Sequence, residues 1–93
     1  MTERDPIRIL LVDDQRLMRE GLRTLLELHH DLHVIGEAGD GAEAEDFIRA
    51  TDVHPRVLLM DLRMPHMDGV RATALIKRRW PEIQILVLTT FAC

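Results

Sequence analysis

Apolar positions along this chain follow two alternating rhythms. Largely aliphatic runs at residues 7–12, 32–36, 57–60 and 83–88 have the length of strands, and the continuous run at 57–60 fits a strand covered on both faces. Between them the period becomes helical. Met18, Leu22, Leu25 and Leu26 fall at i, i+4, i+7 and i+8, one stripe of a helix that begins at Asp14 or Gln15 and runs to about Leu28. Ala44, Phe47 and Ile48 mark the inward face of a second helix that ends before Asp52, entered through a turn carrying Gly39, Asp40 and Gly41. A third helix is expected over residues 70–79. Lys77, Arg78 and Arg79 place cations at the negative end of its dipole, and Pro81 lies just beyond as a stop signal.

The resulting order, βαβαβαβ with short links, predicts an α/β fold: under the right-handed crossover rule it is a parallel sheet with helices on both faces. No internal repeat, linker or low-complexity segment interrupts it. Gly21 inside the first helix costs about 1 kcal/mol relative to Ala, so a close approach by a neighbouring element is expected there. Residues between Asp61 and Gly69 read as a loop, in which Pro65 cannot donate a backbone hydrogen bond.

Length and composition narrow the classes. The 93 residues suffice for one domain, and 46% hydrophobic with 30% charged residues describes a soluble, packed molecule. Twelve basic against sixteen acidic residues give a net charge of −4, which offers no electrostatic footprint for nucleic acid. The charged start from Met1 to Pro6 has no signal-peptide core and nothing is long enough to cross a bilayer, so no membrane association and a cytoplasmic location are expected. Cys93, the single cysteine, precludes an internal disulfide and reads as an ordinary terminal thiol. His29, His30 and His33 lack a further ligand at suitable spacing and read as a polar connection; His54 and His66 lie in loops.

The chemistry lies at the strand ends. The first strand stops at Asp13 and Asp14, the third at Asp61, and the fourth at Thr89 and Thr90. Singly, an acid there is often a helix cap, and a strand Thr reflects β propensity. Jointly, at one edge of a parallel sheet, they describe a site. Three gathered carboxylates repel one another unless a cation is present, and hard oxygen ligands with room for waters suit Mg²⁺. Once neutralised, an aspartate can attack phosphorus, with the Thr89 hydroxyl stabilising a phosphoryl oxygen.

At these residues the chain resembles the receiver domains of bacterial two-component response regulators, of the NarL/LuxR type. The segments Ile9-Leu10-Leu11-Val12-Asp13-Asp14, Met60-Asp61-Leu62-Arg63-Met64-Pro65-His66-Met67-Asp68-Gly69 and Leu86-Val87-Leu88-Thr89-Thr90-Phe91 match that family's motifs, and Arg19-Glu20-Gly21-Leu22 points to the subfamily. The resemblance covers residues 7–91 and implies a flavodoxin-like (CheY-like) fold. It implies that Asp61 takes a phosphoryl group from a sensor histidine kinase, that Asp13, Asp14, Asp61 and the Arg63 backbone carbonyl hold Mg²⁺, and that Thr89 is the switch hydroxyl. It also implies a phosphoacceptor rather than an enzyme, one able to take phosphate from small donors and to lose it slowly.

A receiver of this kind continues through another helix, a fifth strand and a fifth helix, which with the family's lysine and aromatic switch residue lie outside residues 1–93. An output domain that would bind DNA lies outside them too. The expectation is therefore an incomplete receiver with a bare sheet face and an edge at the fourth strand, prone to form a homodimer or oligomer. Phosphorylation and its coupling to Thr89 are expected to be weaker without the lysine, while Mg²⁺ binding survives. Phe91-Ala92-Cys93 differs from the acidic loop that usually follows, pointing to a truncation or an altered tail. The alternative reading is a phosphorylation-incompetent fragment that self-associates through its uncovered face or edge strand. A phosphatase or phosphotransferase with an aspartyl nucleophile ranks last, since it needs an acid two residues after the nucleophile and Arg63 stands there.

Overall fold

The computed structural model describes residues 5–61 and 68–88. Their element order is β1 (Ile7–Val12), α1 (Arg16–Leu26), β2 (Leu32–Ala38), α2 (Gly41–Ala50), β3 (Val57–Asp61), α3 (Asp68–Arg79) and β4 (Gln84–Leu88). The strands form one parallel sheet in the order β2-β1-β3-β4. The chain thus moves from β1 outward to β2 and then crosses back to the other side of β1. The reversal leaves the carboxyl ends of β1 and β3 side by side, the place in an open α/β sheet where ligands bind.

Because successive strand side chains point to opposite faces, the continuous apolar runs feed two layers. Leu10, Val12, Leu58 and Met60 pack on one face with Ala44 and Ile48 of α2, Ala72 and Ile76 of α3, and Ile83. Ile9, Leu11 and Val34 face the other way, with Leu22 and Leu26 of α1 against them and Val57 and Leu59 half-buried beside them. Helices therefore cover both faces, as the sequence predicts. Among the described residues no helix is long and apolar enough to cross a membrane.

Several expectations are corrected. α1 ends at Leu26 rather than Leu28, and Met18 and Leu25 are exposed. The helix lies over β1 and β2, so only the flank carrying Leu22 and Leu26 meets the sheet. No close approach exists at Gly21, where an added Cβ would find nothing within 4 Å because that side of α1 faces outward. β2 runs on to Ala38 because its ladder with β1 continues to the pair Val12 and Ala38. α3 begins at Asp68, before the expected residue 70, and β4 begins at Gln84, after Ile83 has closed the preceding turn by donating to the carbonyl of Trp80.

α2 is entered as expected. The Asp40 side chain caps it by accepting from the Glu43 N–H at 2.8 Å, while the Glu43 carboxylate accepts from the Gly39 N–H at 2.9 Å. The first bond satisfies an N–H that a helix start leaves without a partner, and the second ties the entering turn to the first turn of α2.

Candidate functional site

The parallel register of β1 and β3 pairs Val12 with Met60, so the next residues along each strand, Asp13 and Asp61, meet across the seam. Asp14 follows at once in the turn leading to α1. Oxygen atoms of Asp13, Asp14 and Asp61 all lie within 4.8 Å of one another. Asp13 is only 6% exposed, Asp61 is half-buried and Asp14 is exposed, so the cluster runs from the sheet interior out to solvent.

Asp13 is held at three points. Its N–H donates to the Ala38 carbonyl of β2 at 3.0 Å, its Oδ1 accepts from the Gln15 N–H at 2.8 Å, and its carbonyl accepts from Nη1 of Arg19 at 2.5 Å. Gln15 is the N-cap of α1 and makes no side-chain cap itself. Burial pushes the Asp13 carboxyl above its ordinary range, the Gln15 N–H opposes this, the charges of Asp61 and Asp14 push it further up, and Arg19 pulls it back slightly. A carboxylate short of solvation beside two others is a group that a cation relieves.

The donor set fits Mg²⁺. All three groups are hard oxygen ligands gathered within 4.8 Å of one another, and the exposed side of the cluster leaves room for waters, the donor set that suits this ion. Two predicted members, Arg63 and Thr89, lie outside the described residues, as do Thr90, Pro65, His66 and Phe91-Ala92-Cys93. Leu88, the residue before Thr89, is the β4 partner of Asp61. His29, His30 and His33 join no metal-competent group among the described residues; His33 instead faces Glu27, with Nδ1 3.4 Å from Oε2.

The structure adds residues to this corner that hydropathy does not reveal. Arg19 and Arg23, one turn apart on α1, both reach Glu37 of β2, Arg19 Nε lying 3.0 Å from Oε1 and Arg23 Nε 2.9 Å from Oε2. The available signal is the i, i+4 spacing of two cations beside a strand glutamate, which carries no meaning until α1 is known to lie over β2.

The chain matches the family model of the response regulator receiver domain over residues 9–92. The transcriptional regulatory protein LiaR of Bacillus subtilis (strain 168) is 47% identical over 85 residues, which cover 91% of this chain and 39% of that protein. The crystal structure of a LuxR-family two-component response regulator from Aurantimonas sp. SI85-9A1 superposes with a TM-score of 0.84 at 36% identity, covering 95% of this chain and 61% of that one. RcsB from Salmonella enterica serovar Typhimurium, solved bound to promoter rprA in the presence of the phosphomimetic BeF3−, superposes with a TM-score of 0.80 at 31% identity over 91% of this chain and 43% of that one. This chain thus spans about two-fifths of the length of LiaR.

Proposed function

Since the chain belongs to the response regulator receiver family, with LuxR-type regulators among its relatives, we propose that Asp61 accepts a phosphoryl group from a phosphohistidine of a sensor kinase. The observation that carries this reading is the gathering of Asp13, Asp14 and Asp61 within 4.8 Å where β1 and β3 end side by side.

Asp13, Asp14 and Asp61, with the Arg63 carbonyl that the family resemblance implies, would hold Mg²⁺. Bound there, the ion would supply the positive charge that lets three carboxylates and an incoming phosphoryl group share one pocket. An oxygen of half-buried Asp61 attacks phosphorus. The P–N bond breaks and its electron pair returns to the imidazole of the kinase. Asp13 stays in place during this step through its bonds to Ala38, Gln15 and Arg19. The Thr89 hydroxyl donates to a phosphoryl oxygen and so reports the modification. The output is control of transcription through a DNA-binding domain outside this chain, a reading supported by the transcriptional regulator LiaR and by RcsB bound to promoter DNA. The setting is the cytoplasm, and the phosphorylated form acts as a homodimer or oligomer.

The test is intact mass after brief treatment with acetyl phosphate and Mg²⁺. One phosphoryl adduct is expected on the parent and none on Asp61→Asn, whereas a folded parent that gains no adduct overturns the reading. A second reading, self-association through β4, is favoured by the exposure of Leu86 and Val87 on that strand.

A further inference from the structure

Arg19 spans two elements that the acidic pocket depends on, and its two bonds have different consequences. Nε donates to Oε1 of Glu37 at 3.0 Å, and Nη1 donates to the carbonyl of Asp13 at 2.5 Å. Glu37 is an anchor because it lies in the β2 ladder, paired with Leu11 of β1, and because its second oxygen lies 2.9 Å from Nε of Arg23, an ion-pair contact that lacks hydrogen-bond geometry. The Asp13 carbonyl belongs to the peptide unit that joins Asp13 to Asp14. That unit is planar, so a bond to its oxygen holds the plane that carries the N and Cα of Asp14, the atoms from which its side chain is built. Arg19 is only 17% exposed, and little water competes for its donors.

Resting on the reading of the pocket as a Mg²⁺ site, we propose that Arg19, braced by Glu37, is a positioning residue that orients the Asp13–Asp14 peptide and thereby sets the cation affinity of the pocket.

A purely structural role, docking α1 on β2, would need only the contacts with Glu37, and Arg23 already makes one of them. The additional bond to Asp13 is specific to Arg19. An arginine suits the task because its rigid planar fork presents donors in two directions at once, toward a carboxylate and toward a carbonyl. A lysine carries the same charge on a single nitrogen and cannot keep both partners in this geometry. Groups that orient metal ligands in this way change affinity by about 10- to 100-fold when removed.

The test is Mn²⁺ binding, followed by loss of the free-ion electron paramagnetic resonance signal, on the parent, Arg19→Lys, Glu37→Gln and Arg23→Lys, with the melting temperature of each recorded without metal. Arg19→Lys is expected to weaken binding by about tenfold and Glu37→Gln to weaken it in the same direction, while Arg23→Lys stays within about twofold of the parent. Parental affinity in a folded Arg19→Lys, or an equal loss in Arg23→Lys, overturns the positioning role and leaves the metal site standing. Should Arg19→Lys fail to fold, Glu37→Gln decides in its place, and unchanged binding there overturns the proposal. A parent without saturable Mn²⁺ binding that Asp13→Asn removes overturns the metal-site reading, and the role of Arg19 falls with it.

Discussion

Gly36 of β2 lies so close to the ring of Phe47 in α2 that a Cβ on Gly36 would stand 2.5 Å from Cε2 and 2.6 Å from Cζ. The position follows an irregularity: pairing with β1 passes from Ile9 and Val34 to Leu10 and Gly36, so Ile35 is an extra residue in β2. Such a bulge re-aims the strand, and a glycine beside it lets a helix ring approach the backbone. Phe47 packs against the main core, which limits how far the ring can retreat. Gly36→Ala is expected to lower stability by about 1–3 kcal/mol, measured by urea unfolding, and to cost less in a Phe47→Leu background, where the atoms it meets are gone.

Gly21 is the opposite case. Its Cβ position in α1 is open, so replacement relieves the helix of a flexible residue without any collision. Gly21→Ala is expected to stabilise the chain by about 0.5–1 kcal/mol, seen as a rise of a few degrees in melting temperature, with Mn²⁺ affinity unchanged. A lower melting temperature would show that the outward face of α1 carries a contact that the glycine serves.

Asp13 gives stability a pH dependence whose sign follows from its raised pKa. The folded protein protonates this carboxyl at a higher pH than the unfolded chain, whose value lies near 3.8. Between those two values the folded state holds more protons, so the contribution of Asp13 to stability falls as pH rises through the window and is least favourable above the folded value. In metal-free buffer, Asp13→Asn is expected to remove this component of the pH profile and to raise the melting temperature at neutral pH. Mg²⁺ should raise the parent in the same range and leave Asp13→Asn nearly unmoved.

Glu27, the C-cap of α1, accepts the N–H of buried Val34 at 3.1 Å through the oxygen that faces His33. β2 lies at the end of the described strand order, so this donor points away from β1 and relies on the side chain. Glu27→Ala is expected to cost about 0.5–1.5 kcal/mol by exchanging this part-buried bond for one to water. Glu27→Gln, which keeps an acceptor oxygen, should cost clearly less in the same denaturant titration.

At the other end of that order stands β4, with Leu86 55% exposed and Val87 exposed beside it. Among the described residues no strand pairs beyond β4 and no charged residue or proline interrupts Gln84–Leu88, so within them this strand lacks the usual deterrents to edge pairing. Apparent size in sedimentation velocity is expected to rise with protein concentration, and Leu86→Lys is expected to suppress the rise. Concentration-independent monomers of the parent would remove the case for self-association through this strand.

The acidic pocket was legible in the residues because its parts are local. A buried parallel strand needs an unbroken apolar run, and the carboxylate that ends the run needs no distant partner to be recognised, which is why Asp13, Asp14 and Asp61 stand out together with the βαβαβαβ order. The sequence by itself therefore determined the class of fold and the acids at its open edge. Which helix lies over which strands was decided only in three dimensions, by the choice of β1 as the neighbour of both β2 and β3. That choice exposed Met18 and Leu25, moved the tight backbone approach from Gly21 to Gly36, and brought Arg19 from α1 to the carbonyl of Asp13. Periodicity records that a face is apolar but not what lies opposite, and bonds between residues far apart in the chain exist only once the layers have been stacked.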